Sequence, residues 1–303
     1  MEEGRVPRTA ILSAMMRAAH LLIDGEPKIF SDPFAARVSG FDGEAALRAS
    51  LGTFVAILAT AAGAECAQAT FKYLRAGMTI RSRYTEDELH RAIQRGIAQY
   101  VILGAGLDSF AYRPRNLAPL LRVYEVDLPA SQQWKRARLR ALSMAEPDGL
   151  VFVPLDLERQ PLMEGLGAAG YSPERPTFFS WLGTTQYLTR DGVFDTLREI
   201  ARAAPGSEIV FSYHVHRDML DVADRQILDV LSARAAAGGA PWLTSFEPAI
   251  LAAHLKGLGL TEAVDFGPEE ARTRYLAGRT DGMVTPRLSH LMKARVGGMP
   301  EVR

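Results

Sequence analysis

The sequence is poor in cysteine and carries no excess charge of either sign. Its 303 residues include one cysteine, Cys66, which leaves no intramolecular disulfide and too few thiolates for a cysteine-based zinc site. Lysine and arginine together number 35, as do aspartate and glutamate, so no global charge draws the chain to nucleic acid or to an anionic membrane. We therefore expect a small-molecule or protein partner, a reducing cytoplasm, and no nucleic-acid, membrane or metal partner.

Long apolar runs are also scarce. The most apolar stretch, residues 51–64, is shorter than the roughly 20 residues that cross a bilayer, and we predict that it forms a buried helix. Residues 2 and 3 are glutamates and Arg17 interrupts the first apolar stretch, so we expect no signal peptide. The sequence has no P-loop, HExxH, CxxC or GxSxG motif, which argues against kinases, metalloproteases, thiol oxidoreductases and hydrolases.

Two patterns divide the chain, and no internal repeat or linker does. Residues 1–97 show helical spacing, and Thr85 and Glu88 have the spacing of a capping box, which predicts a helix over about 86–97. From residue 98 to 303, short apolar runs alternate with helical stretches, which predicts a mostly parallel α/β sheet. We predict seven strands, the last two an antiparallel edge pair: 100–103, 122–126, 150–153, 177–181, 208–213, 260–266 and 290–296.

A ligand of such a sheet lies outside the carboxyl ends of its strands. There the first predicted strand runs into Gly104-Ala105-Gly106, a turn in which glycines permit close approach of a ligand to the backbone. Asp127 ends the next strand about 20 residues on, where a carboxylate binds the ribose hydroxyls of an adenosine cofactor. This pairing favours a nucleoside-bearing ligand over a purely structural turn.

The residues after the turn discriminate between cofactors. A dinucleotide fingerprint needs a third glycine, but this turn continues with Leu107 and Asp108. The carboxylate of Asp108 would repel a pyrophosphate, whereas S-adenosyl-L-methionine has no phosphate and carries a sulfonium and an amino group. Electrostatics therefore favours the methyl donor over NAD.

An ordered set of motifs covering nearly the whole chain resembles the leucine carboxyl methyltransferase family, and more closely its bacterial branch of S-adenosylmethionine-dependent, polyketide-type O-methyltransferases. The motifs are the stretch 8–38, TIRSRY (79–84), VILGAGLDSFAYR (101–113), VYEVDLP (123–129), VPLDL (153–157), QYL (186–188) and AGRTDGM (277–283). The resemblance implies a class I methyltransferase: a Rossmann-like α/β core over residues 98–303, and an N-terminal helical cap over residues 1–97 that closes the acceptor pocket.

The resemblance also implies cofactor-binding roles. Arg81 would hold the methionine carboxylate, Gly104, Ala105 and Gly106 would line the methionine moiety, Asp127 would bind the ribose, and Asp156 and Leu157 would bind the adenine. Glu125 lies on the same strand face as Asp127, and we favour Asp127 because it ends the strand. Where the family usually has a glutamate five residues before its Tyr-Leu pair, this chain has Leu182, so one expected cofactor contact is missing.

Methyl transfer demands alignment of the acceptor more than chemistry from the protein. A carboxylate acceptor needs no base and could be oriented by Arg17 or Arg113, whereas a hydroxyl acceptor benefits from a base. Our base candidate is His214, with Tyr187 and Tyr213 in reserve.

We thus predict an enzyme that uses S-adenosyl-L-methionine, releases S-adenosyl-L-homocysteine and methylates an oxygen of a small secondary metabolite or of a fatty or polyketide acid. C- or N-methylation, carboxyl methylation of a protein C-terminus and a non-catalytic regulator remain open. The sequence does not predict an oligomeric state.

Overall fold

The computed structural model describes residues 8–113 and 121–297. Their seven strands are β1 (Gln99–Leu103), β2 (Arg122–Asp127), β3 (Leu150–Pro154), β4 (Thr177–Trp181), β5 (Glu208–His214), β6 (Leu260–Phe266) and β7 (Ser289–Val296). They form one sheet in the order β3-β2-β1-β4-β5-β7-β6. Strands β1 to β5 pair in parallel, and β7 pairs antiparallel with both β5 and β6. The predicted α/β sheet with an antiparallel edge is therefore confirmed.

The helices of the described residues are α1 (Arg8–Ile23), α2 (Ala35–Val38), α3 (Glu44–Ala62), α4 (Ala64–Gln94), α5 (Pro129–Ala141), α6 (Leu162–Ala168), α7 (Arg190–Ile200), α8 (Val222–Ala237), α9 (Pro248–Gly257) and α10 (Pro268–Ala271). Short 3₁₀ turns occupy Phe110–Tyr112, Thr185–Tyr187 and Arg217–Met219, and a π-helical turn follows α10 at Arg272–Leu276. Four helices therefore precede the first strand.

The predicted helix start near residue 86 is wrong. Helix α4 runs unbroken through this point, and Thr85 is buried inside it with no hydrogen-bond partner for its hydroxyl among the described residues. The Glu88 carboxylate, which a capping box would direct to the backbone, instead pairs with Lys293 at 2.8 Å, and the neighbouring Glu86 pairs with Arg113. Tertiary ion pairs have thus overridden the local capping signal.

Helix α3 is less buried than the sequence suggested. Only Leu47, Leu51, Phe54 and Leu58 are buried, and Ile57 is 47% exposed. Within the described part of the chain, α3 is the one helix long and apolar enough to span a membrane by length and composition alone, with 22% of its apolar window buried. A core helix of a soluble protein also meets that test, but the prediction of a buried helix is wrong for most of its surface.

The N-terminal helices share a core with the sheet. One apolar cluster contains Met16 of α1, Leu58 of α3 and Phe179 of β4. Strands β1, β4 and β5 are buried along their whole length, as expected for central strands with helices on both faces. The division into a cap over residues 1–97 and a core over residues 98–303 stays a prediction. Of these two regions, residues 1–7, 114–120 and 298–303 lie outside the described part of the chain.

A segment near the end of the described chain fastens the loop after α1. Arg279, in the AGRTDGM motif, donates to the carbonyls of Pro27 at 2.6 Å and Gly25 at 3.0 Å. The Gly25 amide donates in turn to Asp281 Oδ2 at 2.9 Å. These hydrogen bonds of Arg279 and Asp281 to Gly25 and Pro27, which we call the clasp, hold the loop at the carboxyl end of α1.

Strand order locates the crevice. The chain passes from β1 outward to β2 and β3, then returns to place β4 on the other side of β1. Such a reversal opens a crevice outside the carboxyl ends of the two central strands. The residues that follow β1 and β4 therefore lie at the expected binding position.

Candidate active site

A cavity of about 910 Å³ lies at this reversal point. Its walls include residues that follow strands β1 to β4, together with parts of α1, α4 and α8 and the segment 238–243. Nine of the ten site residues expected from the sequence line it: Arg81, Gly104, Ala105, Gly106, Asp127, Asp156, Leu157, Tyr187 and His214. The structure therefore brings together positions that lie as far apart as α4 and β5.

The two glycines of the turn after β1 adopt left-handed backbone conformations, with φ +61° at Gly104 and +49° at Gly106. A Cβ on Gly104 would lie 2.2 Å from Thr184 Oγ1, and one on Gly106 would lie 3.1 Å from the Cβ of Ala10 in α1. Glycine is needed here for its φ angle and for the space that other elements occupy.

Asp127 is half-buried at the end of β2 and faces the cavity. Its Oδ2 accepts from the Gly106 amide at 2.6 Å and its Oδ1 from the Leu128 amide at 2.7 Å. Burial raises the pKa of Asp127, and the two amide donors oppose that rise. The carboxylate thus ties the end of β2 to the glycine turn of β1.

Glu125 does not line the cavity. It is fully buried and forms an ion pair with Lys135 of α5 at 2.6 Å. Burial raises the pKa of Glu125 to about 7, although Lys135 opposes the rise. The Lys135 ammonium also donates to the Asp108 carbonyl at 2.7 Å, so the pair supports the turn after β1. Of the two carboxylates, Asp127 is the one that lines the cavity.

Asp156 and Leu157 follow β3 and are half-buried in the cavity wall. Asp156 Oδ1 accepts from the Glu158 amide at 3.0 Å, which turns the chain sharply after the strand. The turn presents both side chains to the cavity at the β3 edge of the sheet.

Arg81 lies in the middle of α4. Its Nη2 donates to Ser13 Oγ of α1 at 2.6 Å, and a Cβ on Gly183 would lie 2.5 Å from its Nη1. Burial, and then the charge of Arg17, lower the pKa of Arg81 to about 10. Arg81 forms no ion pair with a described carboxylate, and Asp108 acts on it only at longer range, so its guanidinium faces the cavity without an ion-pair partner.

His214 ends β5 and is 9% exposed. Its ring lies edge-on to the ring of Trp242, with centroids 4.2 Å apart, and the imidazole takes part in none of the hydrogen bonds among the described residues. Burial, and then the charge of Arg81, lower the pKa of His214 to about 3. The imidazole is therefore neutral near pH 7.

The two reserve tyrosines differ in position. Tyr187 lies half-buried in the cavity wall. Tyr213 is the exception among the ten expected residues, because it precedes His214 on the strand and faces the opposite side of the sheet. Its hydroxyl donates to Asp265 Oδ1 at 2.6 Å, and burial raises its pKa. The structure does not bring Tyr213 to the cavity.

The two arginines considered for orienting an acceptor both hold the fold together. Arg17 pairs with Asp32 at 2.9 Å and donates to the Leu107 carbonyl at 2.7 Å, so it links α1 to the glycine turn. Arg113 is buried, pairs with Glu86 and is absent from the cavity wall. Arg113 therefore does not reach the cavity, whereas Arg17 lies in the cavity wall with its Nε and Nη2 already bonded.

Comparison with known proteins supports the resemblance. The family model for leucine carboxyl methyltransferase matches residues 10–201. The chain belongs to the leucine carboxyl methyltransferase family. YktD of Bacillus subtilis, a predicted S-adenosyl-L-methionine-dependent methyltransferase, is 32% identical over 71% of this chain and 70% of its own length. A relative from Mycolicibacterium paratuberculosis with the same description is 34% identical over 69% and 67% of the two chains.

Solved structures support the fold. A DUF574 family protein from Streptomyces avermitilis superposes with a TM-score of 0.55 at 18% identity, over 78% of this chain and 89% of that one. A predicted methyltransferase from Thermobifida fusca gives 0.52 at 19% identity, over 91% and 96%. This leucine carboxyl methyltransferase family member is accordingly an S-adenosyl-L-methionine-dependent enzyme with a class I methyltransferase fold, as predicted.

Some residues of the family member's cavity were missed by sequence reasoning. Ser13 and Tyr73 line the wall from α1 and α4, and Gly183 lies against the Arg81 guanidinium with φ +70°. The glycine after β4 was a usable signal, because it repeats the strand-to-glycine pattern of β1. Ser13 carried none, since its role depends on packing against a residue 68 positions away.

Proposed function

We propose that this enzyme transfers the methyl group of S-adenosyl-L-methionine to an oxygen of a small-molecule acceptor, with secondary metabolism as the setting. The observation that carries the proposal is the continuity of the cavity. One space of about 910 Å³ reaches from the carboxylates after β2 and β3 to the apolar walls of α3, α4 and α8. Its size is at the upper end of the range for small-molecule sites, which suits a cofactor and an acceptor side by side.

The residues at one end fit the nucleoside of the cofactor. Each oxygen of Asp127 already accepts one amide hydrogen bond, which leaves further lone pairs for the two ribose hydroxyls. Asp156 offers an acceptor for the adenine amino group, and Leu157 an apolar face for the ring. Gly104, Ala105 and Gly106 bring backbone against the methionine chain.

Arg81 suits the methionine carboxylate. Arg81 is half-buried, and a guanidinium removed from water without a carboxylate partner is unfavourable. Its planar donor fork matches a carboxylate in a bidentate pair. The Ser13 hydroxyl and the Gly183 backbone fix the orientation of that fork. Leu182 lines the same wall, so the amino group of the cofactor must be held without the glutamate that the family usually has there.

The bound cofactor supplies an already activated methyl group on a sulfonium. The chain's own task is to orient the acceptor oxygen and to exclude water. Because the pKa of His214 is about 3, this imidazole is a weak proton acceptor. The site therefore favours an acceptor that ionises without strong help, such as a carboxylate or an acidic hydroxyl, which His214 and Tyr187 orient through hydrogen bonds.

Calorimetric titration with S-adenosyl-L-homocysteine, with NAD as the control ligand, tests the proposal. We expect micromolar binding of the former alone. Arg81→Met is expected to weaken it by roughly 2 kcal/mol through the lost charge-assisted contact, and Asp127→Asn to weaken it as well. Arg83→Met is the matched control, because Arg83 lies on the same helix but pairs with Asp87 outside the cavity. Binding of NAD alone, or equal affinity in the Arg81 and Arg83 variants, would contradict the proposal.

A further inference from the structure

We infer that Arg234 and Phe54 form an acceptor subsite for an amphipathic anion, a ligand with a negatively charged group at Arg234 and an apolar, preferably aromatic, body against Phe54. The inference rests on the proposed function, which assigns Arg81 to the cofactor. It adds the chemical class of the acceptor and the residues that select it. The methyl-accepting oxygen lies at the other end of the same ligand, near His214.

The charges of the cavity wall are unevenly distributed. All its carboxylates among the described residues follow strands β1 to β3: Asp108, Asp127, Asp156 and Glu158. The wall from α3, α4, α8 and residues 238–243 contributes none. The arginines of that wall are Arg81 and Arg234, and neither forms an ion pair with another described residue. Arg8 and Arg17 line the cavity from α1, and Arg159 lines it after β3. Within the wall of α3, α4, α8 and residues 238–243, Arg234 is the arginine left for the acceptor once Arg81 serves the cofactor.

Strand order separates the two ends of the cavity. Asp127 and Asp156 follow β2 and β3, on one side of the central strand β1. The segment 238–243 after α8 lies on the other side, where the Leu243 amide donates to the Gln186 carbonyl beyond β4 at 2.6 Å. Arg234, in the last turn of α8, therefore faces the part of the cavity that the adenosine moiety leaves free.

The Arg234 side chain is already oriented. Its guanidinium carbon lies 5.1 Å from the centroid of the Phe54 ring. Phe54 is 5% exposed and lines the cavity, so the ring is a fixed platform. A stacked guanidinium keeps its in-plane N–H donors free for a carboxylate, sulfonate or phosphate. Leu231 and Trp242 line the same wall and supply apolar contact area for the body of the ligand.

A simpler role for Arg234 is stabilisation of a helix end. Arg234 is the basic residue in the last turn of α8, where any cation interacts favourably with the helix dipole. Lysine would serve that role equally well, but it lacks the planar fork and the stacking face of arginine. An Arg234→Lys variant therefore separates the two explanations.

Two fluorescent probes that differ in one charged group test the subsite. 8-Anilinonaphthalene-1-sulfonate carries a sulfonate, and N-phenyl-1-naphthylamine has the same rings without it. Both are titrated against the full chain, with and without saturating S-adenosyl-L-homocysteine. We expect Arg234→Gln to weaken sulfonate binding about ten-fold or more, Arg234→Lys to weaken it nearly as much, and both to leave the neutral probe within about two-fold. Phe54→Ala should weaken both probes.

Arg225→Gln is the matched control, because Arg225 is a partly exposed arginine on the same helix that does not line the cavity. It should bind both probes as the wild type does. Since Arg234 is itself exposed, its variants are expected to keep the unfolding midpoint of the wild type. Equal losses for both probes, or no loss of sulfonate binding in Arg234→Gln, would overturn the subsite.

Failure of the proposed function gives a different result. If S-adenosyl-L-homocysteine does not bind while the probes still discriminate at Arg234, the anion subsite stands and methyl transfer does not. If S-adenosyl-L-homocysteine binds and the probes do not discriminate, methyl transfer stands and the subsite does not.

Discussion

Replacing Gly104 by alanine is expected to destabilise the protein through two separable effects. The first is backbone strain, because φ is +61° and a left-handed conformation costs an L-residue with a Cβ roughly 1 to 2 kcal/mol. The second is overlap, because the new Cβ would lie 2.2 Å from Thr184 Oγ1, and forcing atoms into a packed site costs roughly 1 to 3 kcal/mol. The expected loss in the free energy of unfolding is therefore roughly 2 to 5 kcal/mol.

Equilibrium urea unfolding of four variants separates the two effects: Gly104→Ala, Thr184→Gly, the double variant that combines them, and Gly259→Ala. Gly259→Ala isolates the backbone cost, because Gly259 has φ +90° and no atom beyond its two chain neighbours lies within 4 Å of the position that its Cβ would take. Gly104→Ala combined with Thr184→Gly removes the overlapping side chain, so it should recover the second contribution and leave the first. If the double variant recovers nothing beyond the sum of the single changes, the close approach of Thr184 to the glycine turn is refuted.

Three further predictions follow from the buried charges. His214→Asn should reduce the loss of stability on acidification. Because the folded pKa of His214 is about 3, the wild-type protein loses free energy of unfolding as the pH falls below 6.5, by about 2 kcal/mol at pH 5. Equal pH dependence of the urea midpoints of wild type and variant would exclude His214 as the cause. Glu125→Gln should lower the free energy of unfolding by about 3 kcal/mol, because the Lys135 ammonium stays buried without its partner. Adding Lys135→Met should restore much of this loss in a double-mutant unfolding cycle, and additive losses would contradict the ion pair. The double variant Arg17→Met, Asp32→Asn should keep most of the free energy of unfolding. It should weaken S-adenosyl-L-homocysteine binding in calorimetry, because the Leu107 carbonyl in the glycine turn loses the hydrogen bond from Arg17. Unchanged affinity would show that this hydrogen bond does not support the cofactor site.

The second half of the chain could be predicted closely from its sequence. Strands β4 and β6 have the predicted bounds, and the other strand boundaries differ by one residue. Short apolar runs between turn residues and helices carry this information locally. The position of the residues after the strands could then be predicted from the sheet, because parallel strands bring their carboxyl ends to one edge.

The first half could not be predicted so well because its structure depends on distant partners. The capping box at Thr85 is a valid local signal, but Arg113 and Lys293 recruit the adjacent carboxylates into a continuous helix. The prediction that Tyr213 lies at the candidate site was wrong for a different reason. It neighbours His214 on β5, and the alternation of side chains along a strand already showed that only one of the two could face the cavity.

The clasp between the AGRTDGM segment and the loop after α1 has a consequence for biosynthesis. Its hydrogen bonds join residues 252 to 256 positions apart. At a translation rate of roughly 5 to 20 residues per second, these partners are synthesised on the order of 10 to 50 s after the loop that follows α1. During that interval the loop after α1 lacks these hydrogen-bond partners, whereas helices α2 and α4, which pack against α1, are already synthesised. The loop is therefore the part of this region that stays open to chaperones until the AGRTDGM segment emerges.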